Sequence, residues 1–186
     1  MAALMEGTLD WFFETVAIRD LGKMIDQAEL HYLSFGIMGP IIELLGSVYD
    51  TKSFLTTENV WNGRFNAALA RIPSLRRYQR NRVGKQHDLY KHMRHGMAHV
   101  GAPETGVVFT QRSDPYDGHR HLNKDSYNGT RRLILVCEDL HADIVDAIPY
   151  VRGDRSRKKD LDMAFMNPRL LPDSAPVPTL TCSVSG

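Results

Sequence analysis

The chain has 186 residues, with 23 Lys and Arg against 22 Asp and Glu, and 42% of it is hydrophobic. That length carries one ordinary domain, and the composition excludes collagen-like, fully disordered and disulfide-framework classes. Two cysteines, Cys137 and Cys182, cannot staple a fold of this size, which fits a reducing compartment and a cytoplasmic protein. A membrane span needs about 18 unbroken apolar residues. The nearest stretch, 35–49, is interrupted by Gly36, Gly39, Pro40 and Glu43, so no membrane association is expected. Glu6 and Asp10 stand where a signal peptide would carry an early basic cluster.

Along the chain, residues 6–50 read as helical, with Leu21, Met24, Ile25, Ala28 and Tyr32 at helical spacing and Asp20 as a cap. Gly36, Gly39 and Pro40 interrupt the pattern, and Pro40 suits the first turn of a new helix carrying Ile41, Ile42, Leu44, Leu45 and Val48. Thr56-Thr57-Glu58 opens a helix with Trp61, Phe65, Ala68, Leu69 and Ile72 on one face, which Pro73 ends. A basic connector leads to a helix over 85–98, closed by Gly101 and Pro103.

Val107-Val108-Phe109-Thr110 is β-prone, Pro115, Asp117 and Gly118 mark a turn, and Asn128-Gly129 marks another before a second strand over 131–136. Residues 138–150 read as a last amphipathic helix with Leu140, Ile144, Val145 and Ile148 inward. The expected class is mostly α, a helical bundle with a small two-stranded β appendage. Residues 1–166 form a single domain in this reading, and the Pro- and Ser-rich 167–186 a disordered tail.

Charge is uneven. Residues 1–60 hold nine acids against three bases, whereas 71–100 hold eight bases against one acid, Asp88. The basic block Arg76, Arg77, Arg80, Arg82 and Lys85 can draw in phosphates, or it can pair with the acidic half of the same chain or of a second copy. A smaller cluster is Arg152, Arg155, Arg157, Lys158 and Lys159. Cys137 reads as an inert buried thiol, His119-Arg120-His121 as a polar hairpin tip, and Trp11, Phe12 and Phe13 as core.

Chemistry concentrates in Leu89-Tyr90-Lys91-His92-Met93-Arg94-His95-Gly96-Met97-Ala98-His99-Val100-Gly101, a stretch rich in histidine around one arginine. Histidine titrates near neutral pH and can give or take a proton, and arginine offers a planar cation that fits phosphate oxygens. RNA cleavage without metal needs such groups: a base for the ribose 2′-OH and a cation for the charge on the phosphorane. The apolar stripe Leu89, Met93, Met97 and Val100 should face the core.

This stretch resembles the signature of HEPN-like domains, in which an Arg is followed after four to six residues by a His, usually with a polar residue just after the Arg. Arg94 and His99 fill those places, and His95 stands where Asn is common. Arg82 with His87, Arg80 with His87 and Arg112 with His119 have the same spacing, but lack the Leu-Tyr, Gly-Met and His-x-Gly surroundings. The resemblance covers about residues 5–150. It implies a helical homodimer with facing motifs and, in active members, metal-independent endoribonuclease activity, often in toxin–antitoxin or antiviral settings. Other members are inactive modules that bind nucleotides or proteins.

On this reading Arg94 stabilises phosphate charge, His99 is the general acid/base and His95 assists. Tyr90, Lys91 and the basic block hold RNA, no cofactor is needed, and a cognate antitoxin or other protein partner is expected. At about 100° per residue, Arg94 and His99 lie roughly 140° apart on a regular helix, so a second copy is expected to complete the site. A rival uses Asp88, His92, His95 and His99, which share one helix face within about 60°, as ligands of a metal-dependent hydrolase.

Overall fold

The computed structural model describes residues 8–27, 30–52, 58–82, 84–85, 87–99, 101–114 and 120–154. Its centre is one long helix, α3 (His31–Gly46), extended by a 3-10 turn over Ser47–Tyr49. The expected interruption does not occur, because Pro40 lies inside α3 and the helix runs through it. Proline removes one backbone hydrogen bond and costs about 3 kcal/mol in a helix interior. Against that stand Phe35, Met38, Ile41, Ile42, Leu44 and Leu45, all buried; each contributes about 1.5–3 kcal/mol. Burial wins several-fold. The stretch His31–Tyr49 is long and apolar enough to cross a membrane by composition, and 67% of it is buried inside the fold. It is the core helix.

The other helices wrap around it. A first continuous helix comprises α1 (Leu9–Trp11), a π-helical stretch (Phe12–Asp20) and α2 (Leu21–Asp26). Thr8 caps it, its Oγ1 accepting from Trp11 N at 3.2 Å. Asp20 caps nothing; it lies in mid-helix and pairs with Arg19. The chain turns before His31, so Tyr32 does not continue the Leu21 and Ile25 face but points outward, its hydroxyl donating to Gly101 O. Phe13 is buried, and Phe12 packs against the core.

Helix α4 (Trp61–Arg71) buries Phe65, Ala68 and Leu69, and ends before Pro73 as expected. Its start at Trp61 is later than the expected opening, of which Thr56 and Thr57 lie outside the described residues. The basic connector is itself ordered, a 3-10 helix over Pro73–Asn81 that buries Leu75 and Tyr78. The last helix, α6 (Cys137–Asp154), buries Leu140, Ile144 and Ile148 and is longer at both ends than expected, with Pro149 inside it. Arg152 ties it to the first helix through Asp10 at 2.9 Å and Glu14 at 2.7 Å.

The β appendage has three strands, not two. Their order is β1 (Val107–Thr110), β3 (Thr130–Val136), β2 (Lys124–Tyr127). β1 and β3 pair in parallel, Val107 opposite Leu133, so they are not a simple ribbon. The antiparallel partner of β3 is β2, whose Lys-Asp-Ser-Tyr sequence carries no strand signal. It is held by the Asn128-Gly129 turn, with φ of 48° and 75°, and by the cross-strand pair Asp125–Arg132. The expected turn at 115–118 and the expected tail, 167–186, lie outside the described residues, which end at 154.

Packing of α3 on α4 depends on Gly46, where a Cβ would lie 1.8 Å from the Arg64 carbonyl oxygen. Gly46→Ala should therefore destabilise by about 1–3 kcal/mol or more. Gly63, on the exposed face of α4, has open space around it, and Gly63→Ala should stabilise by about 0.5 kcal/mol. Urea unfolding of the two variants checks both signs.

Candidate functional site

The helix carrying the Arg/His motif starts later than residue 85. Asp88 begins it, Oδ1 accepting from Lys91 N and Oδ2 from Gly84 N, both at 2.9 Å. Leu89 and Met93 face the core, and Met97 lies against Gly36. Tyr90–His95 is π-helical, one residue wider per turn, and α5 (Gly96–His99) completes it. Gly101, at φ 69°, turns the chain away. Gly96 is fixed by crowding, since a Cβ there would lie 2.6 Å from Ala102 O. Val100 lies outside the described residues.

Arg94 points inward. Its Nε lies 2.6 Å from Glu43 Oε1, a charge contact without directed hydrogen geometry, and its Nη2 donates to Oε2 at 3.1 Å. The guanidinium also sits 5.8 Å from the Tyr90 ring, and Tyr90 packs edge-on to Phe65. Gly39 makes the approach feasible, because a Cβ there would be 2.9 Å from Arg94 Cγ. Arg94 keeps 20% of its side chain exposed and Glu43 only 6%. Burial pushes the Glu43 carboxyl above the usual range, while the Arg94 hydrogen bond and charge pull it back. Burial, then the Glu43 charge, raises the Tyr90 phenol.

His95 and His99 occupy the opposite side. Both are exposed, with ring centroids 4.4 Å apart. Glu104, on the segment leading to β1, faces them: its carboxylate lies 3.8 Å from His95 Nδ1, 3.5 Å from His92 Nδ1 and 3.7 Å from Lys91 Nζ. Among the described residues no contact joins Arg94 to His99. The chain thus groups Lys91, His92, His95, His99 and Glu104 on one face, and Arg94, Tyr90 and Glu43 on the other.

The metal alternative does not assemble. Both Asp88 oxygens are used in backbone bonds. His92 is wedged against Gly106, where a Cβ would meet its ring at 2.4 Å, and burial lowers its pKa although Glu104 opposes this. Among the described residues no group of three or more His, Cys, Asp or Glu is placed to hold a metal ion.

Of the basic block, Arg76, Arg80, Arg82 and Lys85 are exposed and make no ion pair among the described residues. Arg77 differs, being bound to Asp143 at 2.5 Å. It belongs to a network that neither periodicity nor motif reveals. Val136 N–H donates to His121 Nδ1 at 3.0 Å, so the proton of the neutral ring sits on Nε2 and is donated to the Tyr78 oxygen at 2.7 Å. The Tyr78 hydroxyl in turn donates to Asp143 Oδ2 at 2.5 Å. Tyr78 is fully buried, so the network clasps the 3-10 helix to α6 and to the segment before β2. His121 is therefore no free hairpin tip; His119 lies outside the described residues. Cys137, buried and donating to His31 O, has its thiol pushed up to about 12 by burial, as befits an inert group.

Glu43 and Glu104 are the site residues that sequence reasoning missed. Glu43 stands in an apolar helix as its one acid, which was the available signal; Glu104 gave none. Comparison with protein-family models, curated proteins and solved structures finds no match to this chain.

Glu43→Ala should destabilise by about 3–5 kcal/mol, because it leaves the Arg94 charge in the core without its partner, and adding Arg94→Met should recover much of the loss. Chemical denaturation of the single and double variants measures this. Burial and then the Arg77 charge push His121 down to about 4 from 6.5. The unfolded chain takes up this proton below about pH 6.5, the folded chain only below about 4. The stability from this residue is complete above about pH 6.5 and is lost as pH falls to about 4. An NMR titration of the imidazole resonances should place His121 near 4, and a value near 6.5 would contradict the network.

Proposed function

We propose that the chain is a metal-independent endoribonuclease of HEPN type that works as a homodimer. The observation carrying this reading is the exposed, contacting pair His95 and His99, held one helical turn apart on the motif helix. One neutral imidazole removes the proton from a ribose 2′-OH. The 2′ oxygen attacks phosphorus, the bond to the 5′ oxygen breaks, and the second imidazole, protonated, supplies that oxygen with its proton. His99 takes the base role and His95 assists. Arg94 needs a second copy to bring its remaining exposed edge toward the opposing histidines and the phosphorane. Lys91 and the exposed cations Arg76, Arg80, Arg82 and Lys85 track the RNA backbone. Such an enzyme acting in the cytoplasm calls for a neutralising partner, an antitoxin in function.

A second reading is favoured by one specific contact. Arg94 is occupied by Glu43, as a structural ion pair would be, which fits a non-catalytic HEPN-like module that binds a nucleotide or protein.

The two separate in one experiment. Purified protein is incubated with mixed RNA in EDTA, beside Arg94→Ala, His95→Ala and His99→Ala. The enzyme reading expects wild-type cleavage to fall by about 10²–10⁴-fold in His99→Ala, with unfolding curves confirming that the variants fold. Equal background in all four proteins removes it and leaves the binding module. Light scattering of the wild type in solution should give twice the 21.1 kDa chain mass.

A further inference from the structure

A cleft of about 310 Å³ opens between the 3-10 helix Pro73–Asn81 and the strands β2 and β3. Arg77, Arg80, Lys124 and His87 line it above the apolar floor of Leu122 and Leu133. No carboxylate is among its described lining residues. Arg77 is committed to Asp143, but Arg80 and Lys124 have no ion-pair partner among the described residues. Two cations without a carboxylate partner beside a half-open cleft repel one another and favour an anion between them.

His87 adds a second, independent observation. Its side chain is 2% exposed, and its Nδ1 lies 3.1 Å from the Gly106 carbonyl. A carbonyl only accepts, so Nδ1 carries the proton and the neutral ring leaves its lone pair on Nε2. That Nε2 is buried and has no hydrogen-bond partner among the described residues. A buried polar atom left unsatisfied is costly, and one that lines a cleft is a point where a bound group can supply the missing hydrogen bond. The site therefore offers cations for anionic oxygens and an acceptor for a hydroxyl. Its volume lies at the lower end of the range of small-molecule sites, about 300–1,000 Å³. It is also more enclosed than the clefts beside Tyr32 and Arg64, which favours a small ligand over a polymer threading through.

We propose that this cleft binds a small hydroxyl-bearing phosphate monoester, its phosphate on Arg80 and Lys124 and a hydroxyl on His87. Neither the catalytic reading nor the Arg94–Glu43 contact is needed for it. The chemistry is shared by sugar phosphates and mononucleotides, and calorimetry on the full chain separates them with ribose 5-phosphate, adenosine 5′-monophosphate and inorganic phosphate as probes. At least one ester should bind more tightly than inorganic phosphate, and the preferred ester assigns the source. Arg80→Ala with Lys124→Ala, both on exposed side chains, should weaken that ester at least tenfold. His87→Gln should narrow the preference for ester over inorganic phosphate, and thermal melting confirms that it folds. No binding by the wild type, or equal binding by wild type and the Arg80/Lys124 variant, overturns the proposal. So does binding of a mixed-sequence RNA oligomer that depends on Arg80 and Lys124 while neither ester binds, which returns the cleft to the RNA track.

Discussion

The motif helix is anchored by a buried charge pair. Glu43 sits in the last turn of α3, the most apolar of the described helices, and Arg94 reaches it from the neighbouring helix across Gly39, where no larger residue fits. A carboxylate at that depth is unfavourable without a cation, and the cation is equally unfavourable without the carboxylate. The pair therefore fixes the rotation of the motif helix on α3. Once Arg94 is turned inward to Glu43, Leu89 and Met93 enter the core, and His95 and His99 are left on the outer surface. The same rotation places Gly106 under the His92 ring and sets the start of β1.

This coupling bears on chemistry. A guanidinium held by a carboxylate is well positioned but has part of its hydrogen-bonding capacity spent. A phosphate could reach it only through its exposed edge. The histidines are the reverse case, accessible and loosely held, with Glu104 as the nearby carboxylate. Two copies meeting about an axis would supply what one lacks, an arginine edge opposite an imidazole pair. The binding-module reading follows from the same geometry if the pair has only a packing role.

Charge is distributed by purpose across the fold. The acidic N-terminal half is partly consumed inside the molecule, Glu43 by Arg94 and Asp10 and Glu14 by Arg152. Among the described residues the basic block is paired at Arg77 alone, leaving Arg76 and Arg80 without an ion pair on the 3-10 helix and a cleft beside it. The His121–Tyr78–Asp143 clasp holds that 3-10 helix against α6 and so keeps its cations in a fixed array.

What the sequence determined by itself was local. Apolar periodicity located most of the helices and inward faces, Pro73 and Gly101 two of their ends, and Asn128-Gly129 a turn, because each of these depends on the dihedral preferences or burial of nearby residues. The Arg94–His99 spacing and the exposed basic row were legible for the same reason. Tertiary structure decided the rest. Pro40 reads as a break because its cost is local, and only the surrounding core shows that burial outweighs it. β2 has no strand signature and exists through its pairing with β3. Glu43 meets Arg94 across 51 positions of sequence, and His121 meets Tyr78 across 43. Such contacts leave no periodic trace in the chain, since the energy that selects them comes from desolvation and pairing in the folded interior.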